Sequence, residues 1–275
     1  MDLKKLVRNL VNEGYELIDA QSKVSQDIIL MKINKSNFKN HITIKGGVVM
    51  HSISNSIRRA TRDLDMDFIK YSLDDLSIKG FINKLDNVKD EVSITIIEKI
   101  VELNHQDYNG KRVYLKIEDK YGYSIKTKLD IGVHKLFEIE QEDYYFNLNG
   151  IEESISLLIN SPEQLFAEKL KSLLKLGIRC TRYKDLFDFY YLISNNKLNE
   201  DKLLKALKII IFDDEKMKEN NIKDILERLN KIFSSKIYRS NLKGPKVNWL
   251  DISVEETIDC ILVYMNELEK IYVAT

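Results

Sequence analysis

Between Thr61 and Phe68 the chain reads Thr-Arg-Asp-Leu-Asp-Met-Asp-Phe. Strict alternation of this kind predicts a β-strand, here over residues 61–69, with Leu64, Met66 and Phe68 turned into a core and Asp63, Asp65 and Asp67 on the opposite face. Aspartate is depleted in strands. Three on one face, roughly 6.5–7 Å apart at about 3.3 Å per residue, repel one another unless a cation lies among them. Two readings follow. One is a solvated polar face on an edge strand; the other is a set of hard oxygen donors of the kind Mg²⁺ prefers. A second strand, Ser124-Ile125-Lys126-Thr127-Lys128-Leu129-Asp130-Ile131, turns Ile125, Leu129 and Ile131 inward and Asp130 outward. If it neighbours the first strand, Asp130 completes a metal site from across the sheet.

Upstream, Ile42-Thr43-Ile44 reads as a short buried strand running through Lys45-Gly46-Gly47 into the start of a helix at Val48-Val49-Met50. A strand–glycine–helix junction lets the backbone approach a phosphate, with amide groups and the helix dipole facing it. Many such turns use glycine for backbone reasons alone. The order of parts, glycine turn, helix, then an Asp-x-Asp strand, singles this one out.

The rest of the chain supplies the frame. Only 2 prolines and 10 glycines occur in 275 residues, where average usage would give roughly 14 and 19. Few breakers mean short loops and much helix, which argues against an all-β sandwich. Helical spacing predicts a helix from Leu3 to Ile18 and a second over Ser25–Lys35. Residues 92–103 are apolar and ambiguous. Turns at Tyr108-Asn109-Gly110-Lys111 and near Tyr121-Gly122 bracket strands at about 112–118 and 123–133. Beyond about residue 155 only helices are predicted: one starting at Pro162, then 183–194, 200–212, 220–234 and 254–270, with a loop at Gly244-Pro245. The expected fold class is α+β: a mixed sheet flanked by helices over residues 1–155, then a helical domain over 156–275.

Lysine plus arginine equals aspartate plus glutamate, 43 each, so the molecule as a whole does not attract nucleic acid electrostatically. Any such contact must be local. Lys169, Lys171, Lys175, Arg179, Arg182 and Lys184 face only Glu163, Glu168 and Asp185 in sequence, and Lys236, Arg239, Lys243 and Lys246 have no acid among them. The second group reads most simply as a solvated loop. Two cysteines, Cys180 and Cys260, give neither a disulfide framework nor zinc spacing and fit a reducing compartment. No apolar run approaches the ~18–20 residues of a membrane span, and Met1-Asp2-Leu3-Lys4-Lys5 has no secretory core. The expectation is a cytoplasmic protein without a membrane partner.

Ser161-Pro162-Glu163-Gln164 is a strong helix start, with a capping serine, proline at the first position and a capping-box glutamine; Ser253-Val254-Glu255-Glu256 is another. On the first of these helices Leu165, Phe166, Leu170, Leu173 and Leu174 form the apolar arc, and Lys169 falls inside it. A lysine there must snorkel or meet an acid or a phosphate. In Arg182-Tyr183-Lys184-Asp185-Leu186-Phe187-Asp188-Phe189-Tyr190 the apolar residues cover most of the helix, leaving Lys184, Asp185 and Asp188 on a narrow face. Asp188 reads as solvated or as structural.

Taken together, the diglycine turn and the Asp-hydrophobic-Asp strand are similar to the signature of the DNA polymerase β-type nucleotidyltransferase superfamily. The fuller string Lys45-Gly46-Gly47 … Arg59-Ala60-Thr61-Arg62-Asp63-Leu64-Asp65-Met66 resembles the AbiEii/AbiGii (MenT-like) toxin branch, whose pattern is close to K-G-G-T … R-x-[ST]-x-D-[IL]-D-[LM]. Val48 departs from it, standing where the family usually has threonine. Pro162-Glu163-Gln164-Leu165-Phe166-Ala167-Glu168-Lys169-Leu170 and the 182–190 string match the family's third and fourth motifs. The resemblance implies Asp63 and Asp65 as paired metal ligands, joined by Asp130 if the strands are neighbours. It also implies Lys45, Gly46, Gly47, Arg59, Thr61 and Lys169 at the nucleotide, and Lys169 and Asp185 as further catalytic groups. Asp67 is not required. It implies two Mg²⁺ ions, an NTP substrate, the 3′ end of tRNA as acceptor, and an antitoxin with a winged-helix domain in a toxin–antitoxin or phage-defence system. A small-molecule nucleotidyltransferase of the antibiotic-modifying kind, with the same core, is the alternative; a degenerate binding module is a third reading, against which the intact acids and lysine stand.

Overall fold

The computed structural model describes residues 1–103, 110–136, 138–150 and 154–274. It divides into two compact units, Met1–Asn160 and Ser161–Thr275. In order, the first unit contains α1 (Leu3–Asn12), α2 (Leu17–Asn34), β1 (Ile42–Lys45), α3 (Gly46–Ser54), β2 (Leu64–Phe68), α4 (Asp75–Asp86), β3 (Val92–Ile96), β4 (Val101–Leu103), β5 (Gly110–Asp119), β6 (Ser124–Val133), β7 (Glu142–Phe146) and β8 (Ile155–Ile159). The second contains α5 (Pro162–Leu176), α6 (Lys184–Ser194), α7 (Glu200–Leu207), α8 (Ile222–Phe233), α9 (Lys236–Asn241) and α10 (Val254–Ala274).

All eight strands form one mixed sheet, ordered β3-β5-β6-β2-β1-β8-β7, with β4 also on β5. β2 lies in the middle. It runs antiparallel to β1, with Lys45 opposite Asp65, and parallel to β6, with Asp65 opposite Asp130. Inward residues of β2, Leu64, Met66 and Phe68, are wholly buried, and Phe68 stacks edge-on with Phe81 of α4. Helix α2 also covers the sheet, where Ser25 donates to Thr127. This central placement buries one face of β2 and leaves the aspartates on the other.

In the second unit α10 packs on α6 and α8, and Phe166 of α5 meets Phe189 of α6 at 4.6 Å between ring centroids. Both predicted caps form: Ser161 accepts from the Gln164 amide and Ser253 from the Glu256 amide.

Several expectations are corrected. The predicted helix over Leu3–Ile18 is two helices, because the chain reverses at Gly14, whose φ is +107°, a value glycine adopts without steric cost. The ambiguous stretch 92–103 is two edge strands on β5. Strand β8 runs through the region from which only helices were predicted, and β7 was not foreseen. The predicted helix over 200–212 is α7 followed by a π-turn at Lys208–Phe212. Residues 236–241 are a short helix rather than a loop. Of the turn at Tyr108-Asn109-Gly110-Lys111, Tyr108 and Asn109 lie outside the described residues.

Candidate active site

The diglycine bend is built against the carboxylate strand. Gly46 opens α3 with φ +69°, and a β-carbon on it would lie 2.5 Å from Asp65 Oδ2. One on Gly47 would lie 2.6 Å from Thr61 Oγ1. Both glycines are therefore required by the close approach of these two side chains. Gln26 of α2 fixes the approach from below, its Nε2 donating to the Thr61 carbonyl at 2.9 Å and the Asp63 carbonyl at 3.4 Å. The first amides of α3 have no partner within the helix, so the bend combines helix-terminal amide donors, the positive end of a helix and an adjacent carboxylate. Val48 is buried in that first turn, and Arg59 is buried in a single 3-10 turn just before the strand.

Each remaining acid on this face has a basic partner. Lys45 meets Asp67 at 2.7 Å, Lys128 meets Asp63 at 2.8 Å, and Arg112 grips Asp130 through two hydrogen bonds of 2.7 Å, Nε to Oδ1 and Nη2 to Oδ2. Asp67, foreign to the family pattern, is thus a buried counter-ion for Lys45. Asp130 stands beside Asp65 in register, the neighbourhood on which its candidacy as a ligand depended, and its oxygens are taken by the guanidinium. The Asp130 carboxylate holds the Arg112 guanidinium well above its usual range. Behind them His134 is buried, and desolvation pushes its imidazole below its ordinary value, with Lys45 adding to the effect and Asp67 opposing it.

Asp63 and Asp65 offer hard oxygen donors two residues apart, and Asp65 lies over a bend where no β-carbon fits. That donor set suits a divalent cation with open positions for phosphate and water. Among the described residues, no three histidine, cysteine, aspartate or glutamate side chains gather as a cation site; Asp130 is held by Arg112 and Asp63 by Lys128, so a cation must compete with both bases for these oxygens.

In the second unit Lys169 is 5% exposed. It contacts Asp185 directly and Asp188 Oδ2 at 2.9 Å. Asp188 is wholly buried and accepts from Trp249 Nε1 at 3.1 Å, which overturns the solvated reading for it. Asp185 is nearer the surface and also meets the exposed Arg182 at 3.0 Å. Lys169 is therefore a buried lysine with acids rather than a snorkelling one. Of the basic clusters, Lys171 pairs with Asp214 at 2.6 Å and Arg239 with Glu255 at 2.9 Å, acids distant in sequence.

The first unit thus gathers Lys45, Gly46, Gly47, Thr61, Asp63, Asp65 and Asp130 around β1, β2 and β6, and the second gathers Lys169 and Asp185. Four participants escaped the sequence reading: Gln26, Lys128, Arg112 and Trp249. Arg112 was within reach. The turn at Tyr121-Gly122 sets a hairpin with Glu118 opposite Ser124, and counting back along both strands puts Arg112 opposite Asp130, a favourable cross-strand charge pair. Gln26 and Trp249 act through contacts across 35 and 61 residues, which no local pattern announces.

Compared with curated proteins, the chain has no significant match. Among solved structures it is similar to a nucleotidyltransferase-like antigenic protein from Paracoccidioides brasiliensis, with 14% identity, a TM-score of 0.39, and coverage of 83% of this chain and 96% of that one. The family model described as "Nucleotidyl transferase AbiEii toxin, Type IV TA system" matches residues 28–249, a span that holds the diglycine bend, the carboxylate strand, Lys169 and Asp185. The chain belongs to the AbiEii family of nucleotidyl transferase toxins of type IV toxin–antitoxin systems.

Proposed function

We propose that this nucleotidyltransferase moves a nucleoside monophosphate from an NTP to the 3′ end of tRNA in a Mg²⁺-dependent reaction, as the toxin partner of an antitoxin carrying a winged-helix domain, in a phage-defence setting in the cytoplasm. The 3′-hydroxyl of the acceptor gives its proton to solvent water as its oxygen bonds to the α-phosphorus, the α–β phosphoanhydride bond breaks, and pyrophosphate leaves with the electron pair. Amides of Gly46 and Gly47 and the start of α3 receive triphosphate oxygens, with Lys45 and Arg59 supplying charge and Thr61 a hydroxyl. Asp63 and Asp65, with Asp130, would hold two Mg²⁺ ions. Bound there, Mg²⁺ supplies neutralisation of the triphosphate and a lower pKa for the attacking hydroxyl. Lys169 offsets the negative charge that grows on the leaving group, and Asp185 sets its position. Asp188, buried on Trp249, is its permanent counter-ion.

The observation that carries this reading is the fit of Asp65 into the space left by the missing β-carbon of Gly46. The test incubates the protein with Mg²⁺, each α-labelled NTP in turn, and total RNA. Label on tRNA that disappears in Asp65→Asn supports the proposal. Label on a small molecule alone favours the second reading, an antibiotic-type transferase, for which the balanced net charge of the chain speaks. No transfer from any NTP to either acceptor would end both.

A further inference from the structure

We infer that Arg112 is a latch that keeps the third carboxylate, Asp130, out of the cation site until it is released. The inference rests on the reading of Asp63 and Asp65 as cation ligands. Asp130 lies directly beside Asp65 on the neighbouring parallel strand, with the same side-chain parity, so it belongs to the acid face by position. Its two oxygens are nonetheless both occupied by one guanidinium in a fork-to-fork pair, the strongest geometry an arginine makes with a carboxylate. Asp130 is 7% exposed, and the Arg112 side chain 26%. Both residues sit on strands of the sheet, but the acid is the more buried partner and the arginine the more exposed, so the arginine is the member better placed to leave.

Arginine is always protonated, and no change of pH near neutrality can open this pair. A competing charge can. The carboxylates at 63 and 65 give a cation a weak first hold, because the Lys128–Asp63 pair is more exposed than the Arg112–Asp130 pair and has one contact in place of a fork. Arg112 occupies Asp130 and repels that cation as a like charge. Triphosphate oxygens are the natural alternative partner for a guanidinium fork. When they draw Arg112 away, Asp130 turns from counter-ion to ligand. Arg112 is thus a positioning residue: it couples occupancy by the phosphate to completion of the cation site, and keeps the empty toxin from holding the metal tightly.

The test uses the full chain and Mn²⁺ alone, with binding followed by loss of the free-ion EPR signal. The number of waters left on bound Mn²⁺ is read by pulsed EPR in ¹⁷O-enriched water. Arg112→Gln removes a like charge and frees a ligand, so it should bind Mn²⁺ about tenfold more tightly than wild type and show one water fewer, because Asp130 replaces it. Arg112→Gln combined with Asp130→Asn should restore the wild-type water count. Should Arg112→Gln not fold, Arg112→Lys, which keeps the charge but loses the fork, should show the same missing water with a smaller gain in affinity. An unchanged water count in the folded Arg112 variant overturns the latch. If Asp65→Asn binds Mn²⁺ as well as wild type, the underlying assignment of the cation ligands has failed instead, whatever Arg112 does.

Discussion

Lys169 and Asp188 form a salt bridge of 2.9 Å whose acidic end is wholly buried. Asp185 touches the same ammonium from nearer the surface, where Arg182 also reaches it. The two acids are therefore not equivalent. Asp188→Ala leaves the ammonium with one partner and the Trp249 N–H with none. It should cost about 3–5 kcal/mol in the unfolding of the second unit. Asp185→Asn keeps a hydrogen-bond acceptor and leaves Asp188 in place, so its cost should stay near 1–2 kcal/mol, while nucleotidyl transfer falls by about a hundredfold or more. Urea denaturation and single-turnover rates separate the two. Equal stability losses would show that the acids share one structural role.

Gly46→Ala should disable the first unit's site with little effect on its core. An alanine at φ +69° costs roughly 1–2 kcal/mol, and its β-carbon would meet the Asp65 carboxylate at 2.5 Å, so Asp65 must swing away. Activity should drop by more than about a hundredfold, with a Tm decrease of only a few degrees. Gly47→Ala meets Thr61 Oγ1 at 2.6 Å at a φ open to any residue, so the double change Gly47→Ala with Thr61→Ala, which removes that oxygen, should recover part of the stability that Gly47→Ala loses. Absence of that recovery would argue against the steric account.

How much of this was legible beforehand depends on distance along the chain. The alternation of residues 64–68 sufficed for the strand, its buried face and its acids. The Ser-Pro-x-Gln start placed α5, and the apolar arc placed Lys169 in a buried stripe. Partners could not be read the same way. Lys169 looked like a lysine that must snorkel or meet an acid or a phosphate; that Asp188 would be buried beside it depends on Trp249, 61 residues away. Strand β7, Glu142-Asp143-Tyr144-Tyr145-Phe146, has a buried residue only at Phe146, so its pattern lacks the inward–outward contrast that made β2 plain. Strand β8 buries alternate residues, yet its sequence Ile-Ser-Leu-Leu-Ile is apolar enough to be absorbed into the helices that follow.

Lys32 offers a test of the first unit's scaffold away from the site. It is fully buried on α2, and its ammonium donates to Asp90 Oδ1 at 2.7 Å and to the Val92 and Val88 carbonyls at 2.9 and 3.3 Å. The lysine ties the approach to β3 onto the helix. Lys32→Met matches its length and removes every one of these bonds, leaving a nearly buried carboxylate unpaired. The expected loss is about 3–5 kcal/mol, and Asp90→Asn together with Lys32→Met should regain some of it, since the orphaned charge is then gone. Additive losses from the two changes would contradict the pairing.

His134 gives the first unit a pH dependence whose sign follows from its burial. Desolvation holds its imidazole below the ordinary value of 6.5, with Lys45 acting in the same direction and Asp67 against it. The unfolded chain therefore takes up a proton, as pH falls through about 6.5, that the folded chain refuses. The stabilisation is present above that pH and is lost as pH falls toward the folded value, with a slope of at most about 1.4 kcal/mol per pH unit for one proton. His134→Gln removes the titration while keeping a polar side chain of similar reach. Unfolding free energies between pH 8 and 5.5 should fall less steeply for the variant than for wild type, with the two curves separating only below about pH 7. Parallel curves would mean that the imidazole is protonated as readily in the fold as outside it, and that Asp67 cancels the effect of burial.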